Sequence, residues 1–295
     1  MRARRGAAAQ RRAAPLHGRR PGVQKSTKPR QIPPPCSASS RDGGPYSCYQ
    51  LLPIRRNDCR LRHFRANPWT PMNLSRAALL RLLPFVAFMG LLALRGIAPT
   101  DARWGFDTRW LYGLNLLLVG GMLCAWRREY GELARQNLPS PAEWAAAVGL
   151  GLVVFALWIR LDAPWMQIGE PTAAFVPVDA QGRLDWPLIS VRWVGAALLV
   201  PVMEELFWRS FLMRWLQAPV FEGVNPRRVG VRALLLSTFV FMLAHPLWLA
   251  AIIAGLAYAL LYRHTGKLWT AVIAHAVTNG ALGVWVVMTG QWQFW

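Results

Sequence analysis

Acidic side chains are scarce in this 295-residue chain: 14 Asp and Glu stand against 34 Lys and Arg, a formal net charge of +20. Such an imbalance points first toward nucleic acid, but its distribution confines that reading to the tail, which a transit peptide would explain as well. Residues 1–71 hold 16 basic and 2 acidic side chains, a net +14, whereas residues 72–295 hold 18 and 12, a net +6. The basicity belongs mostly to the N-terminal tail, and no nucleic-acid partner is expected for the body. Cysteine is scarce as well. Cys36, Cys48 and Cys59 lie in the tail at spacings that match no metal motif, and Cys124 sits alone in an apolar run. Neither a disulfide framework nor a zinc site follows from that pattern.

What the chain has in abundance is apolar surface: 54% hydrophobic residues, 16 tryptophans and a mean hydropathy of +0.22. Residues 1–71 are the exception, rich in Arg, Pro, Ala, Gly and Ser without periodicity, and are expected to be disordered because they cannot bury enough apolar area to offset the entropy of ordering. Met72, just before the first apolar run, offers a start of translation that would leave this tail out. From there the chain reads as apolar segments of roughly the 17–25 residues that a bilayer requires. They fall at 77–98, 109–126, 142–160, 187–216, 231–246, 247–263 and 268–288, the fifth and sixth broken at His245-Pro246 where proline removes a backbone donor. The expected fold is therefore an all-α polytopic membrane bundle of about seven transmembrane helices. Its parts would be the tail (1–71), N-terminal helices (72–186) and a chemistry-bearing core (187–295).

The short loops set an orientation. Arg65 and Arg76, the 127–136 loop, the 217–232 loop and the 263–267 turn are basic and fall on one side, whereas Asp101, Asp107, Asp162, Glu170, Asp179 and Asp185 fall on the other. The positive-inside rule then places the N-terminus in the cytoplasm and the C-terminus outside. Trp110, Trp126, Trp186 and Trp269 stand near segment ends, as interfacial aromatic residues do.

Against this apolar background two adjacent carboxylates, Glu204 and Glu205, stand out in Pro201-Val-Met-Glu-Glu-Leu-Phe-Trp-Arg209. An ionisable group at membrane depth costs at least about 2.5–3.5 kcal/mol, so such a pair reads as a functional site. Glu205 and Arg209, four apart, share a helix face and can pair, leaving Glu204 on a neighbouring face toward a cavity. The bland alternative is a helix-end cluster in which Arg209 and Arg214 reach the interface and neutralise both glutamates. Phe241 and His245 share a face too, as do His275 and Asn279. For each the plain alternative is a histidine or amide that merely knits helices together. The three pairs occur in order on three apolar segments, and all three plain readings would have to coincide.

These motifs, Glu204-Glu205-Leu-Phe-Trp-Arg209, Phe241-Met-Leu-Ala-His245 and His275-Ala-Val-Thr-Asn279, resemble those of the CPBP family of intramembrane glutamic proteases, which contains the CAAX prenyl endopeptidases and bacteriocin-processing proteins. The resemblance covers roughly residues 187–288, and the first motif also resembles CAAX-protease-related members that accompany exosortase sorting systems. It implies a peptidase in which Glu204, with His245, activates a water, His275 and Asn279 stabilise the oxyanion, and Glu205 and Arg209 orient the pair. It also implies a membrane-associated or lipid-anchored peptide substrate, membrane lipids as surroundings and a multi-pass place in the cell membrane, with no cofactor and no metal. The other intramembrane signatures, His-Glu-x-x-His, Gly-x-Ser-Gly and Gly-x-Gly-Asp, are missing, although a carboxylate and two histidines could by type gather a metal. Two rivals stand beside this reading. One is a catalytically silent binding or scaffolding protein of the same family, and the other a proton-coupled transporter using the same polar groups as a relay.

Overall fold

The computed structural model describes residues 74–98, 105–169 and 175–295. The basic tail, Arg65, Asp101 and Glu170 lie outside the described residues. Seven principal helices follow in order: α1 Arg76–Ile97, α2 Leu111–Ala125, α3 Pro141–Trp158, α4 Trp186–Trp215, α5 Val231–Leu243, α6 Trp248–Thr265 and α7 Leu268–Thr289. Each coincides with one apolar segment of the sequence. Four of them, α1, α3, α4 and α7, are long and apolar enough to cross a membrane on their own dimensions. No strand occurs among the described residues, only two isolated bridge pairs, Gln167 with Leu247 and Val178 with Leu184.

Local chemistry explains where the helices begin and end. Ser140 caps α3 in a reciprocal box with Glu143, and Pro141 occupies the first turn, where its missing N–H costs nothing. α6 ends on Gly266 in the left-handed conformation, which glycine adopts without a Cβ penalty. α5 stops at Leu243, three residues short of the apolar segment's end, because the His245-Pro246 turn takes over. His245 thus stands just past the helix rather than on it.

The basic loops meet at one end of the bundle. Arg81 of α1 forks onto Glu132 at 2.8 and 2.7 Å, Lys267 reaches Glu143 at 2.7 Å, and Arg227 donates to the Thr265 carbonyl at 2.7 Å. At the other end Arg109 binds Asp107 and the carbonyls of Val176 and Val178, and Trp248 donates to the Trp165 carbonyl.

α7 is the central helix, packed against α3, α4 and α6. Its approach to α3 depends on Gly151: a Cβ there would run into the Ala274 carbonyl and the Val277 side chain. The Gly151 carbonyl in turn accepts a hydrogen bond from Thr278 at 2.8 Å. The outward faces stay apolar, with Leu114, Leu117, Val153, Phe239 and Leu243 exposed. An apolar exterior of this kind suits hydrocarbon, not water. The described unit is a membrane protein's helical bundle.

Candidate active site

α4 carries the adjacent glutamates and is not a uniform α-helix. Gly195–Leu199 and Leu206–Leu212 are π-helical turns, closed by the Val200 N–H on the Gly195 carbonyl and the Met213 N–H on the Trp208 carbonyl. Single π turns inside α-helices recur at functional sites. The first one has a chemical consequence. In the π register the Ala196 carbonyl would pair with the N–H of residue 201, but residue 201 is proline and has none. Asn279 of α7 supplies the missing donor, its Nδ2 lying 2.9 Å from the Ala196 oxygen. Pro201 therefore opens a backbone acceptor, and Asn279 closes it across two helices.

The two glutamates have different surroundings. Glu205 is fully buried, and its Oε1 accepts from Arg209 Nη1 at 3.0 Å and lies 2.9 Å from His275 Nδ1. Arg209 also donates to the Gly255 carbonyl at 3.3 Å, and its guanidinium lies over the rings of Phe241 and Tyr258. A Cβ at position 255 would press on Phe241 at 3.1 Å, so glycine lets α6 come close enough to present that carbonyl. A buried ion needs such partners, since an unpaired one is strongly destabilising; the second oxygen of Glu205, Oε2, is buried without a hydrogen-bond partner. Glu204 has no cation within ion-pair distance among the described residues, and its one hydrogen bond is from Trp208 Nε1 at 3.3 Å.

Glu204 instead faces a cavity of about 190 Å³, whose walls include His245, His275, Asn279, Trp158 and Tyr258. The cavity lies toward the end of the bundle opposite the basic loops, where α3 finishes at Trp158 and the segment after α7 contributes Phe294 and Trp295. His245 is held by its Nδ1, 2.8 Å from the Phe241 carbonyl, and by the Phe241 ring at 4.3 Å. A carbonyl can only accept, so Nδ1 carries the proton and Nε2 keeps its lone pair. His275 is fixed by Glu205 on Nδ1 and by Tyr258, stacked on its ring at 5.1 Å. Tyr258 is itself held by Thr278, which accepts from its hydroxyl at 2.8 Å.

Of the six residues that the sequence singles out, four (Glu204, His245, His275 and Asn279) line this cavity, and two (Glu205 and Arg209) stand behind it. Among the described residues no three His, Cys, Asp or Glu side chains gather closely enough to hold a metal ion. Sequence reasoning missed Tyr258, Trp158 and Arg192, which also line the cavity. For Arg192 the signal was available, a charge inside an apolar segment. Tyr258 and Trp158 gave none, because aromatic residues are ordinary in such helices.

Arg209 takes Glu205, while Arg214 turns away to Ser210 and Glu132. The reading in which two arginines neutralise both glutamates thus holds for one glutamate only.

Comparison with known proteins points to the same stretch of the chain. Residues 186–281, which span α4 to most of α7, match the family model of the Rce1-like type II CAAX prenyl endopeptidases. No curated protein and no solved structure matches. The matched segment contains both glutamates, Arg209, both histidines and Asn279, and this part of the chain is similar to the Rce1-like CAAX prenyl endopeptidases.

Proposed function

We propose that the protein is a metal-independent intramembrane glutamic endopeptidase, with residues 187–295 as its catalytic core and residues 72–186 as supporting helices. Its multi-pass bundle would sit in the cell membrane, the inner membrane if the source is bacterial. The substrate is a membrane-associated peptide or protein, such as the short anchored tail of a protein handled by an exosortase-type sorting system. The observation that carries this reading is the convergence of Glu204, His245, His275 and Asn279 on one cavity, with Glu205 and Arg209 locked behind them.

In this reading a water sits between Glu204 and Nε2 of His245. Glu204 takes its proton as the oxygen attacks the peptide carbonyl, a contribution typically worth about 10²–10⁴ in rate. The oxyanion meets Asn279 and Nε2 of His275. Donation from His275 requires a second proton on the ring, with Glu205 at Nδ1 as the charge partner. Donors fixed before the reaction cost no reorganisation when charge develops, which is why such a hole is effective in a dry site. Glu204 then passes its proton to the leaving amine. Glu205 and Arg209 position; they do not touch the substrate.

The test compares the membrane peptidomes of cells expressing the wild-type chain and Glu204→Gln, a nearly isosteric change that removes the base. Loss of defined fragments in the variant at equal protein level supports proteolysis, and the termini name the substrate. Matching profiles would replace the peptidase with a binding or scaffolding role.

A further inference from the structure

The cavity has a second charged wall that the chemistry above does not use. Arg192 lies in α4, three turns before Glu204, and lines the same cavity. Its Nε is buried and has no hydrogen-bond partner, and no carboxylate among the described residues pairs with it. Its guanidinium lies 4.5 Å from the centroid of Tyr112, whose hydroxyl it also interacts with, and 5.7 Å from that of Phe175. A second arginine, Arg95 at the end of α1, lies over the same Phe175 ring at 4.9 Å. Two cations therefore converge on one ring without a described acid between them. A buried N–H left unpaired costs free energy, and a charge inside an apolar helix marks a functional position by default.

We propose that Arg192 binds a carboxylate of the peptide whose scissile bond lies against Glu204, and so sets which peptides the cavity accepts. This rests on the peptidase reading, since it is the peptide that brings the anion. The planar guanidinium fork matches a carboxylate in two parallel hydrogen bonds, and the open Nε is one prong of that fork. An unmodified peptide carries such a group at its C-terminus or on Asp and Glu side chains. The cavity thus has a polarity: reacting groups at one wall, an anion anchor at another, and apolar rings between them.

The test measures binding, apart from turnover, on the full-length Glu204→Gln protein in nanodiscs. Three acetylated probes are titrated calorimetrically: Leu-Val-Leu-Leu as the free acid, the same peptide as its amide, and the amide with Glu in the third place. A carboxylate-bearing probe is expected to bind at least about tenfold tighter than the neutral amide, the worth of a charge-assisted hydrogen bond. Preference for the acid assigns the anion to the C-terminus, and preference for the Glu-bearing amide assigns it to a side chain. Adding Arg192→Met should bring the ratio to near one while leaving neutral-amide binding unchanged, and Arg192→Gln serves the same end if the Met variant fails to fold. Equal binding of all three probes, binding of none, or a preference that survives loss of the arginine overturns the proposal. A preference that depends on Arg192 in a protein whose unmodified form cleaves nothing keeps the anion site and removes the peptidase reading. Cleavage without any preference does the reverse.

Discussion

Two clusters of buried charge hang from α4, one turn apart, and they are built on opposite plans. Toward the basic end, Ser210 and Arg214 join Arg81 and Glu132: Arg81 forks onto Glu132, Ser210 donates to the same carboxylate, and Arg214 donates to Ser210 at 2.7 Å. Both guanidiniums also lie over Phe221, at 5.3 and 5.2 Å. Toward the other end, Glu205 Oε1 and Arg209 are paired in the same way, but Glu205 Oε2 is buried without a partner, and Glu204, Nε2 of both histidines and Arg192 keep unused capacity around open volume. Charge at membrane depth is common to the two clusters and does not separate them. What separates them is spare hydrogen-bonding capacity pointed at space, and that belongs to a site that must receive something.

The comparison can be broken at several strengths. Arg209→Met takes the permanent cation from buried Glu205 and leaves it only the bond to His275, and breaking such a pair costs about 3–5 kcal/mol. Its thermal unfolding midpoint in detergent should fall well below that of the wild type, and any cleavage should fall with it. Gly151→Ala pushes α3 off α7 against a backbone carbonyl, and overpacking of this kind costs about 1–3 kcal/mol. The same thermal scan reads it, with retention of the wild-type midpoint counting against the close α3–α7 contact.

Acid should weaken the saturated cluster. Burial opposes the charge on Glu132, but the hydrogen bonds and charge of Arg81 outweigh that and hold its carboxyl below the usual range. The stabilisation is therefore fully present above the unfolded-state value, about 4.3, and is lost as pH falls through the lower folded value. The wild-type midpoint should drop across that window, and Glu132→Gln should flatten the drop. The smallest effect belongs to the exposed Arg76–Glu129 pair: Arg76→Ala should change stability by no more than about 1 kcal/mol.

Much of the fold was legible because hydrophobic periodicity and span length are local properties; each of the seven apolar segments became one helix. The Glu205–Arg209 pair was legible for the same reason, four residues being one helical step. Long-range partners were not. Nothing near Asn279 in sequence announces the Ala196 carbonyl, which became an acceptor only through a π turn meeting Pro201. Nor could spacing show that Arg214 would leave the glutamates for Ser210 and a loop carboxylate far back in the chain. The position of His245 departed from expectation by a small shift: the proline after it ends the helix early, and a bond to the Phe241 carbonyl restores the contact that helical spacing would have given. Arg192 obeyed the rule already applied to the glutamates, and a basic residue in an apolar run reads more easily as a snorkelling one.

The most direct measurement sets the two adjacent glutamates against each other. Glu204→Gln and Glu205→Gln are purified in parallel, and each is assayed for cleavage of a substrate fragment identified from the peptidome and for its thermal unfolding midpoint. The account predicts that Glu204→Gln keeps the wild-type midpoint and loses cleavage by at least about 10², whereas Glu205→Gln loses both because its buried network comes apart. Retained cleavage in Glu204→Gln, or equal destabilisation of the two variants, would contradict it.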